Sequence, residues 1–124
     1  MVKKLKKAEL KRFEKLLIDE RQRVLRELEY ESDQISRTQL ETSGDLAAYS
    51  NHMADQGTET ERREITSQII STRRDTLFEI DHALRKITQS SYGFCERCSK
   101  LIPKRRLKLL PQARLCIKCS RSAP

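Results

Sequence analysis

Four cysteines are the residues of this sequence best suited to chemistry, and all of them lie between Cys95 and Cys119. They form two Cys-x-x-Cys pairs, Cys95 with Cys98 and Cys116 with Cys119, with seventeen residues between Cys98 and Cys116. A structural zinc ion takes four donors at the corners of a tetrahedron, with each thiolate about 2.3 Å away. One Cys-x-x-Cys turn presents two sulfurs to one side of the ion, and a loop of this length lets a second pair close the other side. With four protein ligands no position is left for water, so such an ion holds structure and does not act on a substrate. The pattern predicts one zinc ion per chain as cofactor, in a small treble-clef-like four-cysteine module.

Two other uses of the cysteines are weaker. Two disulfides would suit a small secreted domain, but no apolar leader opens this sequence. A redox Cys-x-x-Cys would sit at the start of a helix in a strand-helix-strand fold, and one pair would suffice. With reduced cysteines and no targeting segment, a bacterial-type cytoplasm is the expected compartment. No apolar run approaches the eighteen or so residues that span a bilayer.

The rest of the chain must position this module. It has 124 residues, with 35% charged, 36% hydrophobic and 5% aromatic, and only three glycines and three prolines. So few turn formers argue for long helices, a mainly α fold with a thin core. Leu10, Leu17 and Val24 recur every seven residues, followed by Leu28 and Ile35, and Phe13 and Leu16 widen that stripe. This predicts one helix over residues 1 to about 40. A second is expected from about Thr60 to Gln89, with seams through Ile69, Thr76 and Ala83 and through Ile70, Leu77 and Leu84, joined by Ile80 and Ile87. Neither stripe buries itself alone, so the two should pack as a long antiparallel coiled-coil hairpin within a monomer. His82 beside the seam reads as a polar contact, and the opening lysines as a frayed terminus. The expected division is a hairpin over residues 1–91, turning near 42–59, and a zinc-binding module over 92–124.

The turn holds two of the three glycines, Gly44 and Gly57. Asp55 and Thr58 are candidate helix caps, with Glu61 completing a capping box after Thr58. Charge is strongly segregated. Residues 92–124 hold nine basic side chains and one acid, Glu96, which accounts for the whole net charge of +8. Residues 1–26 carry ten basic and four acidic groups, and residues 27–64 three basic and ten acidic ones. A folded hairpin would therefore be acidic at its turn and basic at its base, a polarity that a large partner's field can steer.

These features together resemble the DksA/TraR family. The resemblance covers roughly residues 10–120 and is most specific at Tyr92–Cys98, Ile102–Leu107 and Pro111–Cys119, with Ala54-Asp55 at the turn. It implies a transcription regulator that binds RNA polymerase directly. Its coiled coil would enter the secondary channel, and its zinc end would stay near the rim, with no direct recognition of promoter DNA. It also implies that Asp55, Gln56, Gly57, Thr58 and Glu59 form the tip facing the polymerase active site, with Asp55 the acting residue. In better-known members a second aspartate lies three residues earlier, where this chain has His52. Basic positions that such members link to the alarmone ppGpp fall on Thr72, Glu79 and Ser120. These departures speak against ppGpp dependence.

The alternative is a nucleic-acid-binding zinc module in which Lys104, Arg105, Arg106 and Lys108 form a basic contact surface. It lacks an obvious recognition helix, and an acidic hairpin would repel a polyanion. An enzyme is not expected: there is no open metal position, no phosphate-cradling glycine loop and no nucleophile constellation.

Overall fold

The computed structural model describes residues 4–44 and 56–122, with side chains described for 4–37 and 58–122. Among the described residues four helices follow in order: α1 (Lys7–Gly44), α2 (Gln56–Thr88), α3 (Lys104–Leu109) and α4 (Ile117–Ser122). The one pairing of extended backbone among the described residues is an isolated antiparallel bridge between Phe94 and Leu101. The fold is mainly α, and the two long helices pack as an antiparallel hairpin, as the heptads predict.

The chain divides into two compact units. The first joins Met1–Arg23 with Leu77–Pro124, and the second is Val24–Thr76. In the first, Phe13, Leu17 and Ile80 are almost wholly removed from solvent, and Ala83 packs beside them. An ion pair runs between the helices there, from Arg21 Nε to Asp81 Oδ1 at 2.8 Å. In the second unit Val24 is fully buried, and Arg73 Nε lies 2.8 Å from Glu27 Oε2. Leu10, Leu28, Ile35, Ile69, Ile70, Leu77, Leu84 and Ile87 are half-buried, as in a narrow two-helix seam. Leu16, placed in the stripe by its spacing, is 37% exposed, because one face of a helix cannot turn every apolar residue toward a single partner.

Lys4, Lys6 and Lys7 are exposed, as expected of the opening lysine cluster, while Leu5 among them is 8% exposed and lies against Gly93. One local expectation is corrected. Thr58 lies inside α2 and so is not its cap, because the helix already runs through Gly57 at a propensity cost of about 1 kcal/mol. Asp55, the other candidate cap, lies outside the described residues, as do His52 and the rest of 45–55.

The end of α2 sets the direction of the chain into the zinc module. Ser90 adopts φ 60°, its amide donates to the Ile87 carbonyl at 3.2 Å, and the Ser91 amide donates to the Lys86 carbonyl at 2.9 Å. This is a Schellman closure, with serine in the left-handed position that glycine usually fills.

Candidate metal centre

The first cysteine pair sits on a tight knuckle. Gly93 turns the chain with φ 93°, Phe94 bridges to Leu101, and the Cys95 amide donates to the Lys100 carbonyl at 2.8 Å. Ser99, with φ 63°, donates its amide to the Cys95 carbonyl at 2.9 Å and closes the turn. The second pair uses a helix: α4 begins immediately after Cys116, and the Ser120 amide donates to the Cys116 carbonyl at 2.9 Å. One helical turn separates the two residues of that pair, so both thiols point to the same side.

The four sulfurs converge, all lying within 4.8 Å of one another, and none is in a disulfide. Cys98 Sγ and Cys116 Sγ are 3.8 Å apart. A tetrahedron with bonds of about 2.3 Å has edges of about 3.8 Å, so the separation matches that of two sulfurs on one zinc ion. The thiols also show what a metal resolves. Burial works against a charged Cys95, yet the backbone amides of Cys98, Cys116 and Arg97 bring it down to about 6. Cys119, forced to keep its proton chiefly by Cys116, is pushed up to about 12. Four thiolates at this spacing need a cation to coexist, and a divalent ion supplies one. The donor set and geometry are those of a structural zinc ion.

The loop between the pairs is packed around this centre. Ile102 and Leu107 are fully buried, and Pro103 precedes α3. The Tyr92 hydroxyl donates to the Pro111 carbonyl at 2.7 Å in a buried site, and burial pushes its ionisation well above the usual range. The Tyr92 ring lies 5.8 Å from that of Phe13 on α1. Glu96, beside the first ligand, collects three basic side chains. His82 Nε2 lies 2.6 Å and Lys86 Nζ 3.2 Å from Oε1, and Arg114 Nη1 lies 3.7 Å from Oε2. Partial burial opposes its charge, but His82, Lys86 and Arg114 hold its carboxyl below the usual range. The signal for this hub was present in the sequence as the one acid among nine basic residues.

The four residues expected to form a basic surface separate into two kinds. Lys104 pairs with Glu9 Oε2 of α1 and holds that carboxyl below its usual range, and Arg106 Nε donates to the Leu115 carbonyl at 3.0 Å. Arg105 and Lys108 are exposed. At the other end of the hairpin, Gln56 and Gly57 open α2, Thr58 is exposed and Glu59 half-buried. Thr72 bonds back to the Gln68 carbonyl at 2.9 Å, Glu79 pairs with Arg114, and Ser120 is exposed on α4. No helix among the described residues is long and apolar enough to cross a membrane.

A sequence model of the prokaryotic dksA/traR C4-type zinc finger matches residues 90–123. The RNA polymerase-binding transcription factor DksA of Caulobacter vibrioides is 30% identical over 111 residues, covering 88% of this chain and 71% of that protein. An uncharacterised Bacillus subtilis protein, YteA, is 43% identical over 70 residues, which cover 56% of this chain and 29% of its own length. The solved structure of transcription factor DksA2 from Pseudomonas aeruginosa superimposes with a TM-score of 0.76 at 28% identity, covering 93% of this chain and 82% of that one. On the sequence match, the shared fold and the four-cysteine centre, this chain belongs to the DksA/TraR family of transcription factors.

Proposed function

We propose that this protein regulates transcription initiation by binding RNA polymerase directly, with its coiled-coil hairpin inserted into the secondary channel. The observation that carries this reading is the alignment of 88% of the chain, hairpin and zinc module together, with an RNA polymerase-binding factor. The hairpin supplies reach: α2 alone has 33 residues, about 50 Å of helix at 1.5 Å per residue. The acidic bias of residues 27–64 gives its distal part the charge suited to a cationic or metal-containing site. In this reading residues 1–91 act as the inserted hairpin and 92–124 as the module that holds its base. Asp55, Gln56, Gly57, Thr58 and Glu59 face the polymerase active site. The protein acts as a monomer, without reading promoter sequence and without requiring ppGpp.

The test is co-purification of core polymerase with the full, zinc-loaded chain, followed by open-complex lifetimes at a panel of promoters. Retention of polymerase with altered lifetimes supports the reading. No retention at micromolar protein overturns it.

A further inference from the structure

The ion pair between Lys104 and Glu9 does more than join α3 to the start of α1: it brings two basic surfaces side by side. On α1, Arg12 lies three residues after Glu9 and shares its face, and Lys6, just before the helix, donates its amide to Glu9 Oε1 at 3.4 Å. On α3, Lys108 lies four residues beyond Lys104 on the same face, and Arg105 adjoins it. All five cations are exposed, and Lys104 keeps a side-chain exposure of 54% despite its pairing. Glu9 lies among them already engaged, leaving a strip of about four net positive charges. Leu5 against Gly93 and Phe13 against Tyr92 fix α1 to the module, so the strip is held in place from both sides.

We propose that this α1–α3 strip binds the phosphate backbone of duplex nucleic acid without reading its sequence. A duplex presents one negative charge per about 1.7 Å of its axis, a density that suits a compact row of lysine and arginine. None of the five strip residues is aromatic, which removes the stacking platform used to hold single strands. With six residues, α3 is about 9 Å long, too short to lay several reading side chains along a groove. Phosphate contacts position a protein and carry no sequence information. The strip belongs to the zinc-module end of the chain and is independent of the polymerase-binding reading.

The experiment uses the full zinc-loaded chain without polymerase, so that its outcome stands apart from that reading. Fluorescence anisotropy follows a labelled duplex of arbitrary sequence across a salt series. With about four phosphates neutralised, affinity should fall about a hundredfold between about 50 and 200 mM salt. Arg105→Glu with Lys108→Glu should weaken binding by about tenfold or more, with zinc content and circular dichroism unchanged. Lys118→Glu with Arg121→Glu makes the same charge change on α4 and should leave affinity within about threefold. Equal losses in the two double variants would assign the effect to net charge and overturn the strip. Absence of salt-dependent binding would overturn it too. Competition by polyglutamate as effective as that by duplex would point instead to an acidic protein partner and sink the nucleic-acid assignment.

Discussion

Arg114, on the segment between α3 and α4, donates its Nε to Glu79 of α2 and lays its guanidinium 5.9 Å from the centre of the Phe78 ring. One side chain thus ties the zinc module to the long helix, and its Nη1 lies 3.7 Å from Glu96 beside the first ligand. The pair is about one-third exposed on each side, so solvent screens it and its worth is at most about 1 kcal/mol. Arg114→Met should therefore lower the melting temperature by a few degrees while zinc stays bound. Arg114→Lys should recover little, since an ammonium cannot fork to two carboxylates and stack on a ring at once. Thermal melts of the two variants beside the parent measure both effects.

Gly93 offers a sharper test of local packing. Its φ is 93°, and a Cβ built there would lie 2.8 Å from Leu5 Cδ1. Gly93→Ala should cost about 1–3 kcal/mol, combining left-handed backbone strain with a clash. Adding Leu5→Ala removes the clash but also a buried side chain, so Leu5→Ala alone is the reference: if Gly93→Ala costs nothing further in that background, the backbone angle is not strained. Chemical denaturation of the three variants decides.

The metal is the third point. Chelation, or Cys98→Ser, should remove the restraint that holds the two knuckles together and loosen the unit made of Met1–Arg23 and Leu77–Pro124. Val24–Thr76 should keep its helix. Metal analysis should return one zinc per parent chain, and hydrogen exchange should localise the loss. Protein purified with two disulfides and no zinc would contradict this. Acid should act in the same direction, because thiolate ligands must lose their protons to bind and regain them as the pH falls.

The zinc ligands and the hairpin were legible because each depends on spacing alone. A Cys-x-x-Cys turn and a heptad are local rules, and Leu17, Val24 and Ile80 are fully buried as those rules require. What escaped was contact between distant segments. The sequence marks His82 as a polar contact and the structure bears this out, but its partner, Glu96, is reached only when the knuckle folds onto α2. Leu5 carries no signal of its burial, because nothing near it in sequence reveals that Gly93 leaves room for it. The positive φ of Ser90 and Ser99 was equally hidden, since serine does not signal that conformation as glycine does.

Glu9 supplies a pH test with a definite sign. Lys104 holds its carboxyl below the ordinary 4.5. A carboxyl depressed in the folded state stabilises above its unfolded pKa, and that contribution is lost as the pH falls through the folded value. Carboxyl chemical shifts should place the Glu9 titration below 4.5, and Lys104→Met should move it up. An unchanged titration in the variant would show that the ion pair does not persist in solution.

The residue on which the proposed function turns is Asp55, which immediately precedes α2. Two roles compete there: a carboxylate acting inside the polymerase, or a cap on the helix. Asparagine separates them, because Asn and Asp cap helices about equally well while only Asp carries charge. Asp55→Asn should leave thermal stability within about 1 kcal/mol of the parent, the loss of a favourable charge at a helix N-terminus accounting for any change. Affinity for polymerase should stay within about threefold, a difference of under 1 kcal/mol, because in the proposed mode the flanks and the zinc end would supply most of the contact. The effect on open-complex lifetime should be lost. Asp55→Ala removes both roles and should add a stability cost of about 1 kcal/mol to the same loss of regulation. An Asp55→Asn protein that binds polymerase and shifts open-complex lifetimes as the parent does would leave the residue with only a cap to explain it.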